Sequence, residues 1–192
     1  MSTETNDEKL HMHIDPTEKG WIRVSIVVLV IFFIAITVAG FMLGIQVPTE
    51  EQRVDPRSIA ETAPWAPLSS DELEACLAEG THCDPRVQEL VPGEKYAVYI
   101  IAQMWLFAPN QVPTADSGFE IPAGAEVTFY VTSKDVQHGF KVQNTNVNFM
   151  AVPGEVSTLS TTFEDPGTYD FICTEYCGTG HAAMFGSITI SG

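Results

Sequence analysis

Four soft metal donors lie within one short segment near the end of the chain. Residues 173–184 read CTEYCGTGHAAM and supply the thiols of Cys173 and Cys177, the imidazole of His181 and the thioether of Met184. The glycines inside this segment favour a loop, which can turn all four donors toward one point. Cysteine and histidine clusters commonly bind zinc, but a thioether donor favours copper. A mononuclear blue-copper site uses one cysteine, so the second thiol predicts a pair of copper ions bridged by two thiolates.

A second imidazole has to come from another part of the chain. His138 lies in the segment DVQHGF, just after a predicted strand that ends near residue 132. This position predicts that His138 lies on a loop next to the metal-binding segment. A single histidine beside a glycine is ordinarily a surface or turn residue. Beside a copper loop, we interpret it as a further metal ligand.

Short strands separated by Pro/Gly turns are predicted for the part of the chain that carries these donors. They are rich in aromatic and β-branched residues, which is typical of strands. The predicted strands are residues 96–105, 126–132, 156–163, 169–173 and 186–190. Turns are predicted at 121–124 and at 166–167. This pattern predicts an all-β sandwich or Greek-key barrel that holds the loop between rigid strands.

An uncharged apolar run near the N-terminus predicts one transmembrane helix. Residues 24–47 are long enough to cross a hydrocarbon core of about 30 Å. A cleaved signal peptide is the alternative, but its apolar region would be shorter. Trp21 is expected at the membrane interface and Pro48 at the helix end. The predicted organisation is a polar tail at 1–20, a transmembrane helix at 21–47, an insertion or linker at 48–94, and the β-domain at 95–192.

The 48–94 stretch contains the other two of the four cysteines. Ser69 and Glu72 form a capping-box pattern, which predicts a short helix ending near Gly80. Cys76 and Cys83 flank the end of this helix, so we predict a structural disulfide between them. A second metal site that includes the neighbouring histidine, or two free thiols, are the alternatives. The stretch is poor in apolar residues and is interpreted as lying outside the core.

The pattern C-x-E-x-C-G-x-x-H-x-x-M, with a histidine in an HGF context upstream, resembles the CuA centre of cytochrome c oxidase subunit II. The segments VYIIAQMW, DVQHGF, PGEVST and PGTYDFICTEYCGTGHAAMFG also have counterparts in that family. The single predicted membrane helix resembles the b-type branch of these oxidases. The resemblance implies a cupredoxin-like β-domain and a dinuclear copper centre bridged by both cysteines of the loop.

The resemblance also implies roles for individual residues. One copper would be completed by His138 and Met184, and the other by His181 and the backbone carbonyl of Glu175. The Glu175 carboxylate could bind magnesium at a subunit interface, with simple solvation as the alternative. Trp105, at the end of the first predicted strand, is similar in position to the aromatic residue through which electrons enter. A core tryptophan is the alternative there.

The function that the resemblance implies is electron input to a respiratory terminal oxidase. Electrons would come from a soluble cytochrome c or blue-copper protein and pass to haem in catalytic subunit I. Oxygen reduction would take place in that subunit, so this chain would be an enzyme only as part of the complex. The expected location is the cell membrane, with one pass, a cytoplasmic N-terminus and the copper domain on the outer face.

Four other functions are alternatives to electron input to a terminal oxidase. A copper-containing nitric-oxide reductase subunit would use the same centre, while nitrous-oxide reductase would add a large catalytic domain. A membrane-anchored copper-delivery protein would need exposed, exchangeable ligands. A quinol oxidase subunit would lack these ligands. The net charge of −16 excludes nucleic acid as a partner. It is suited either to steering a basic donor protein or to keeping the surface solvated.

Overall fold

A computed structural model gives the fold, and it describes residues 15–42, 49–79, 83–112 and 120–192. The chain divides into two compact units, Met1–Ile45 and Gln46–Gly192. Among the residues that the structure describes, the first unit contains one helix, and the second contains the β-sheets and the metal-donor residues.

The first unit contains helix α1, Pro16–Met42, whose side chains are almost all exposed. Asp15 caps it, because its carboxylate accepts hydrogen bonds from the Thr17 N–H, at 2.8 Å, and from the Thr17 hydroxyl. The helix is long and apolar enough to cross a membrane. It begins at Pro16 and not at residue 21, since proline is tolerated in a first helical turn. The predicted helix end at Pro48 lies outside the described residues.

The second unit is built mainly from strands. Its strands are β1 Thr49–Arg53, β2 Val87–Val91, β3 Lys95–Gln103, β4 Leu106–Ala108, β5 Gln111–Val112, β6 Ile121–Pro122, β7 Glu126–Ser133, β8 His138–Val142, β9 Asn148–Ala151, β10 Glu155–Thr162, β11 Gly167–Ile172 and β12 Phe185–Ser191. Helix α2 is Ser70–Glu79, and short 3-10 turns occur at Ile59–Glu61 and His181–Ala183. The five predicted strands are confirmed as β3, β7, β10, β11 and β12, although β3 ends at Gln103 and not at residue 105.

The strands form two sheets. The first has the order β1-β10-β7-β3-β2, with β4 paired to β3, and the second has the order β5-β12-β11-β8-β9, with β6 paired to β12. In the first sheet β3 and β7 are parallel, and the other pairs are antiparallel. An aromatic core includes Phe140, Phe171 and Phe107, with ring centroids 5.1–5.6 Å apart. The predicted all-β sandwich is therefore the observed architecture.

The 48–94 stretch contributes strands and core residues to the β-unit. Strand β1 pairs with β10, and strand β2 pairs with β3. Ile59 and Trp65 are buried in a second apolar cluster with Ile101 and Val156. The interpretation of this stretch as lying outside the core is therefore corrected. Its few apolar residues are spaced so that they cover the face of the first sheet that carries Ile101.

Helix α2 confirms two local predictions. The Ser69 N–H and hydroxyl donate to the Glu72 carboxylate at 3.0 and 2.7 Å, and these bonds lower the pKa of Glu72. The Glu72 N–H donates back to the Ser69 hydroxyl at 3.4 Å, which completes the capping box. Cys76 and Cys83 form the predicted disulfide, with their Cα atoms 5.8 Å apart. The bond uses both thiols, so the alternative of a second metal site at this pair is wrong.

Candidate metal centre

Strand directions bring the predicted donors together at one end of the sandwich. Strand β11 is antiparallel to both β8 and β12. Its last residue, Ile172, pairs with Phe185 at the start of β12 and with Lys141 in β8, so the chain that follows β11 runs toward the start of β8. His138 begins β8, Cys173 follows β11, and Met184 precedes β12. We call this the loop end of the domain. His138 was predicted to lie on a loop; the structure corrects this, because its backbone pairs with Ala151 in β9.

The Cys173 sulfur lies among three other donor atoms. Its Sγ is 3.7 Å from Cys177 Sγ, 3.8 Å from His138 Nδ1 and 3.2 Å from the Glu175 carbonyl oxygen. A disulfide needs an S–S distance of about 2.05 Å, so these two thiols are not bonded. The donor atoms of His138, Cys173 and Cys177 all lie within 4.8 Å of one another, and the three residues are buried. This group can therefore hold a metal ion.

The Cys177 sulfur extends the cluster on its other side. Its Sγ is 3.7 Å from His181 Nδ1 and 3.8 Å from Met184 Sδ. Donors roughly 2.0–2.3 Å from one ion in a tetrahedral site lie roughly 3.3–3.8 Å from each other. The observed separations fall in or very near this range on both sides of the sulfur pair. The structure thus brings all six predicted ligand residues into one cluster.

The sulfur donors are shielded from water. Cys173, Cys177 and Met184 are each at most 7% exposed, whereas His181 is partly exposed. Burial, together with the hydrogen bond and the charge of Cys173, raises the pKa of Cys177 to about 11. A metal ion that binds here at neutral pH would therefore have to displace the proton of the Cys177 thiol.

Asp135 fixes the orientation of His138. The His138 Nε2 atom lies 2.9 Å from Asp135 Oδ1, which leaves Nδ1 facing Cys173. Asp135 also accepts hydrogen bonds from the N–H groups of Met104 and Val136, each at 2.7 Å. Partial burial opposes ionisation, but these hydrogen bonds outweigh it and lower the pKa of Asp135. Sequence reasoning missed this residue, although a carboxylate close to a ligand histidine is a common feature of metal sites.

Trp105 lies in the turn between β3 and β4 and covers the segment of residues 173–184 from outside. Its indole N–H donates to the Cys177 carbonyl at 3.1 Å, and its side chain is 42% exposed. A Cβ atom at Gly180 would lie 2.5 Å from the indole ring, so the ring rests directly on the glycine backbone. Trp105 is therefore not a core residue. The role of Trp105 in electron transfer stays a prediction.

Glu175 presents two different groups. Its carbonyl oxygen points to the Cys173 sulfur at 3.2 Å, while the residue itself is exposed. The carbonyl is therefore placed as a ligand would be. The magnesium role of the carboxylate stays a prediction.

Exposed apolar side chains surround the donors. Apart from Trp105 itself, each adjoins a donor residue, Asp135 or Trp105 along the chain, or lies opposite Gly139 in the sheet. This apolar rim consists of Met104, Trp105, Leu106, Val136, Met150, Tyr176 and Phe185, all between 38% and 79% exposed. Sequence reasoning did not find the rim, because its members come from five separate segments.

Acidic side chains lie at the opposite end, which we call the base. Strands β3 and β7 begin there and β10 ends there, with Lys95 and Thr162 both paired to Glu126. Lys95 Nζ lies 3.2 Å from the Glu126 carboxylate. The acidic residues at the base are Glu89, Glu94, Glu126, Glu164 and Asp165. These five acidic residues therefore lie away from the apolar rim, whereas Asp135, Glu155 and the exposed Glu175 lie at the loop end.

A family model and individual known proteins that resemble this chain point to the same family. Residues 94–191 match the family described as "Cytochrome C oxidase subunit II, periplasmic domain". A cytochrome c oxidase subunit 2 of Thermus thermophilus is 37% identical over 187 residues, which is 96% of this chain and 98% of that one. Another Thermus thermophilus subunit 2 is 38% identical over 81% of this chain and 98% of its own length.

A solved structure shows the same relationship. It is a cryo-EM structure of a heme-copper terminal oxidase dimer, and the TM-score is 0.64 at 30% identity, covering 91% of this chain and 99% of the matched one. The all-β, cupredoxin-like fold with one N-terminal apolar helix is thus shared with a subunit of a terminal oxidase.

Proposed function

Because the chain belongs to the cytochrome c oxidase subunit II family, we propose that it is the subunit through which electrons enter a haem–copper terminal oxidase. The observation that carries this proposal is the buried sulfur pair, two free thiols 3.7 Å apart with imidazole and thioether donors around them. The chain is a copper-binding, membrane-anchored subunit, and the oxidoreductase is the complex it belongs to. Buried ligands suit retention of copper and not its delivery to another protein.

The donor set fits a dinuclear copper centre of the CuA type. Cys173 and Cys177 would bridge both ions, with His138 and Met184 completing one ion. His181 and the Glu175 carbonyl would complete the other. When bound, such a pair shares one electron between two ions, so the charge change at each ion is halved. The protein contributes rigid strand ends, an oriented His138 and a water-poor surrounding, and each of these limits rearrangement during electron transfer.

The apolar rim is the surface at which a soluble donor would dock. Its exposed Met, aromatic and aliphatic side chains are the types that form the centre of protein interfaces. Trp105 lies in this rim and is bonded to the Cys177 carbonyl, which makes it the candidate for receiving electrons. The acidic residues at the base are at the wrong end to guide the donor. We assign them to solubility, and a cytochrome c or blue-copper donor would dock by apolar contact.

The membrane helix sets the expected arrangement of the complex. The N-terminus would be cytoplasmic and the copper domain would lie on the outer face, where a soluble donor is found. The acceptor would be haem in catalytic subunit I. The exposed carboxylate of Glu175 is available for magnesium at the interface with that subunit.

Purification of the native complex tests this proposal. An affinity tag on this chain should co-purify a haem protein from detergent-solubilised membranes, and the complex should consume oxygen when a reduced donor is supplied. A complex that reduces nitric oxide and not oxygen would instead support the nitric-oxide reductase alternative. Recovery of the chain without any haem protein would contradict both.

A further inference from the structure

The turn between β3 and β4 contacts both halves of the metal centre. On one side, the Met104 N–H donates to Asp135, whose other carboxylate oxygen bonds to His138. On the other side, the Trp105 indole N–H donates to the Cys177 carbonyl. Two adjacent residues of one turn thus connect strand β8 to the loop of residues 173–184, which we call the copper loop.

The copper loop is shaped to receive the indole. Gly178 has a φ of +118°, and a Cβ there would lie 3.0 Å from Trp105 Nε1. At Gly180 a Cβ would lie 2.5–2.8 Å from three carbon atoms of the ring. Both glycines therefore allow a closer approach of the ring than any other residue would. The remaining backbone hydrogen bonds of the loop join its own residues, as from His181 to Gly178.

The thiols are shielded from solvent, so copper would reach them by local opening of the copper loop, on which Trp105 rests. Cys173 and Cys177 are at most 7% exposed, whereas Trp105 is 42% exposed and lies between solvent and the loop. A bond from the indole to the Cys177 carbonyl restrains the backbone of a bridging ligand itself. Release of that bond would let the loop open locally without unfolding of the β-sheets.

We propose that Trp105 is a latch on the copper loop, and that it controls how often the loop opens and hence how fast copper is taken up and lost. This role rests on the proposed copper function, and it is separate from electron transfer. Trp105 acts here as a positioning residue, through the Cys177 backbone. The copper-free chain shows the effect as well, because the same opening exposes the two thiols to reagents.

The test uses the full-length chain in detergent at one fixed pH. Alkylation of Cys173 and Cys177 by iodoacetamide is followed by mass spectrometry in the copper-free protein, and loss of copper to a chelator is followed in the loaded protein. Trp105→Phe removes the indole N–H and keeps an aromatic ring. Gly180→Ala keeps the N–H and displaces the ring. Trp65→Phe makes the same chemical change at a buried tryptophan that packs with Ile101 and Val156, and it serves as the control.

Trp105→Phe and Gly180→Ala should both accelerate alkylation and copper loss. The expected acceleration for Trp105→Phe is about 5-fold, which corresponds to the loss of one hydrogen bond. Trp65→Phe should change neither rate by more than about 2-fold. Unchanged alkylation rates in both Trp105→Phe and Gly180→Ala would overturn the latch. An alkylation rate that rises as much in the Trp65→Phe control would overturn it as well. Faster alkylation in a chain that binds no copper pair would uphold the latch on the thiols and contradict the proposed function instead.

Discussion

The two cysteine pairs of this chain differ in whether they form a disulfide. Cys76 and Cys83 are seven residues apart and form a disulfide, whereas Cys173 and Cys177 are four residues apart and remain thiols. Around the second pair the fold places imidazole, thioether and carbonyl donors within 3.2–3.8 Å of the sulfur atoms. Such surroundings hold the sulfurs 3.7 Å apart, at a separation suited to bridging. The neighbours of a cysteine pair, and not its spacing, therefore indicate whether it cross-links or binds metal.

The largest effect is expected from Cys177→Ser. Serine cannot replace a bridging thiolate for a soft metal ion, so the variant should lose the dinuclear centre completely. Copper analysis with electron paramagnetic resonance checks this, and the double variant Cys76→Ser/Cys83→Ser is the control because it removes the other cysteine pair without leaving a free thiol. A mixed-valence copper spectrum that persists in Cys177→Ser would show that the two thiols do not act as a bridge.

Removal of the other pair should affect stability only. The double variant Cys76→Ser/Cys83→Ser opens a short loop, for which chain entropy predicts a loss of about 2.5 kcal/mol in the free energy of unfolding. Urea unfolding of the variant measures this loss. Its copper content should equal that of the parent chain. A fall in copper content would mean that the disulfide-bonded segment helps to hold the metal centre.

Asp135→Asn tests how far the metal centre depends on the residues that orient its ligands. The amide keeps the shape of the side chain but removes the charge that fixes the His138 tautomer, so copper affinity should fall about 10–100-fold. Competition with a chelator of known affinity measures the change. Asp165→Asn removes the same charge at the base and should leave the affinity unaltered. Equal affinities for the two variants would contradict an orienting role for Asp135.

The smallest effect is expected from salt. Because the five acidic residues of the base lie away from the rim and the rim itself is apolar, electron input from a soluble donor should change by no more than about 2-fold from low to physiological ionic strength. Stopped-flow reduction of the copper centre measures the rate. A steep fall with salt, relieved by Glu164→Gln at the base, would assign the acidic residues to docking after all.

The sequence predicted what depends on local pattern. The alternating strands, the capping box at Ser69 and the disulfide were all confirmed, since neighbouring residues determine them. The short strands β1, β2, β4, β5, β6, β8 and β9 were missed. Strands β1, β5 and β6 each exist through pairing with a strand that is distant in the chain, whereas β2, β4, β8 and β9 pair with a neighbouring strand but are short. Asp135 was missed although it lies only three residues before His138 in the sequence. The apolar rim was missed because its members come from separate segments that meet only at the loop end.

The copper content of the loaded full-length chain tests the central claim most directly. We expect two copper ions per chain and a multi-line copper signal in electron paramagnetic resonance, because one unpaired electron would be shared between two ions bridged by Cys173 and Cys177. Metal analysis and the spectrum can be recorded on the same sample. One copper per chain with a single blue absorption band would contradict the dinuclear centre, and with it the account of this chain as the point of electron input.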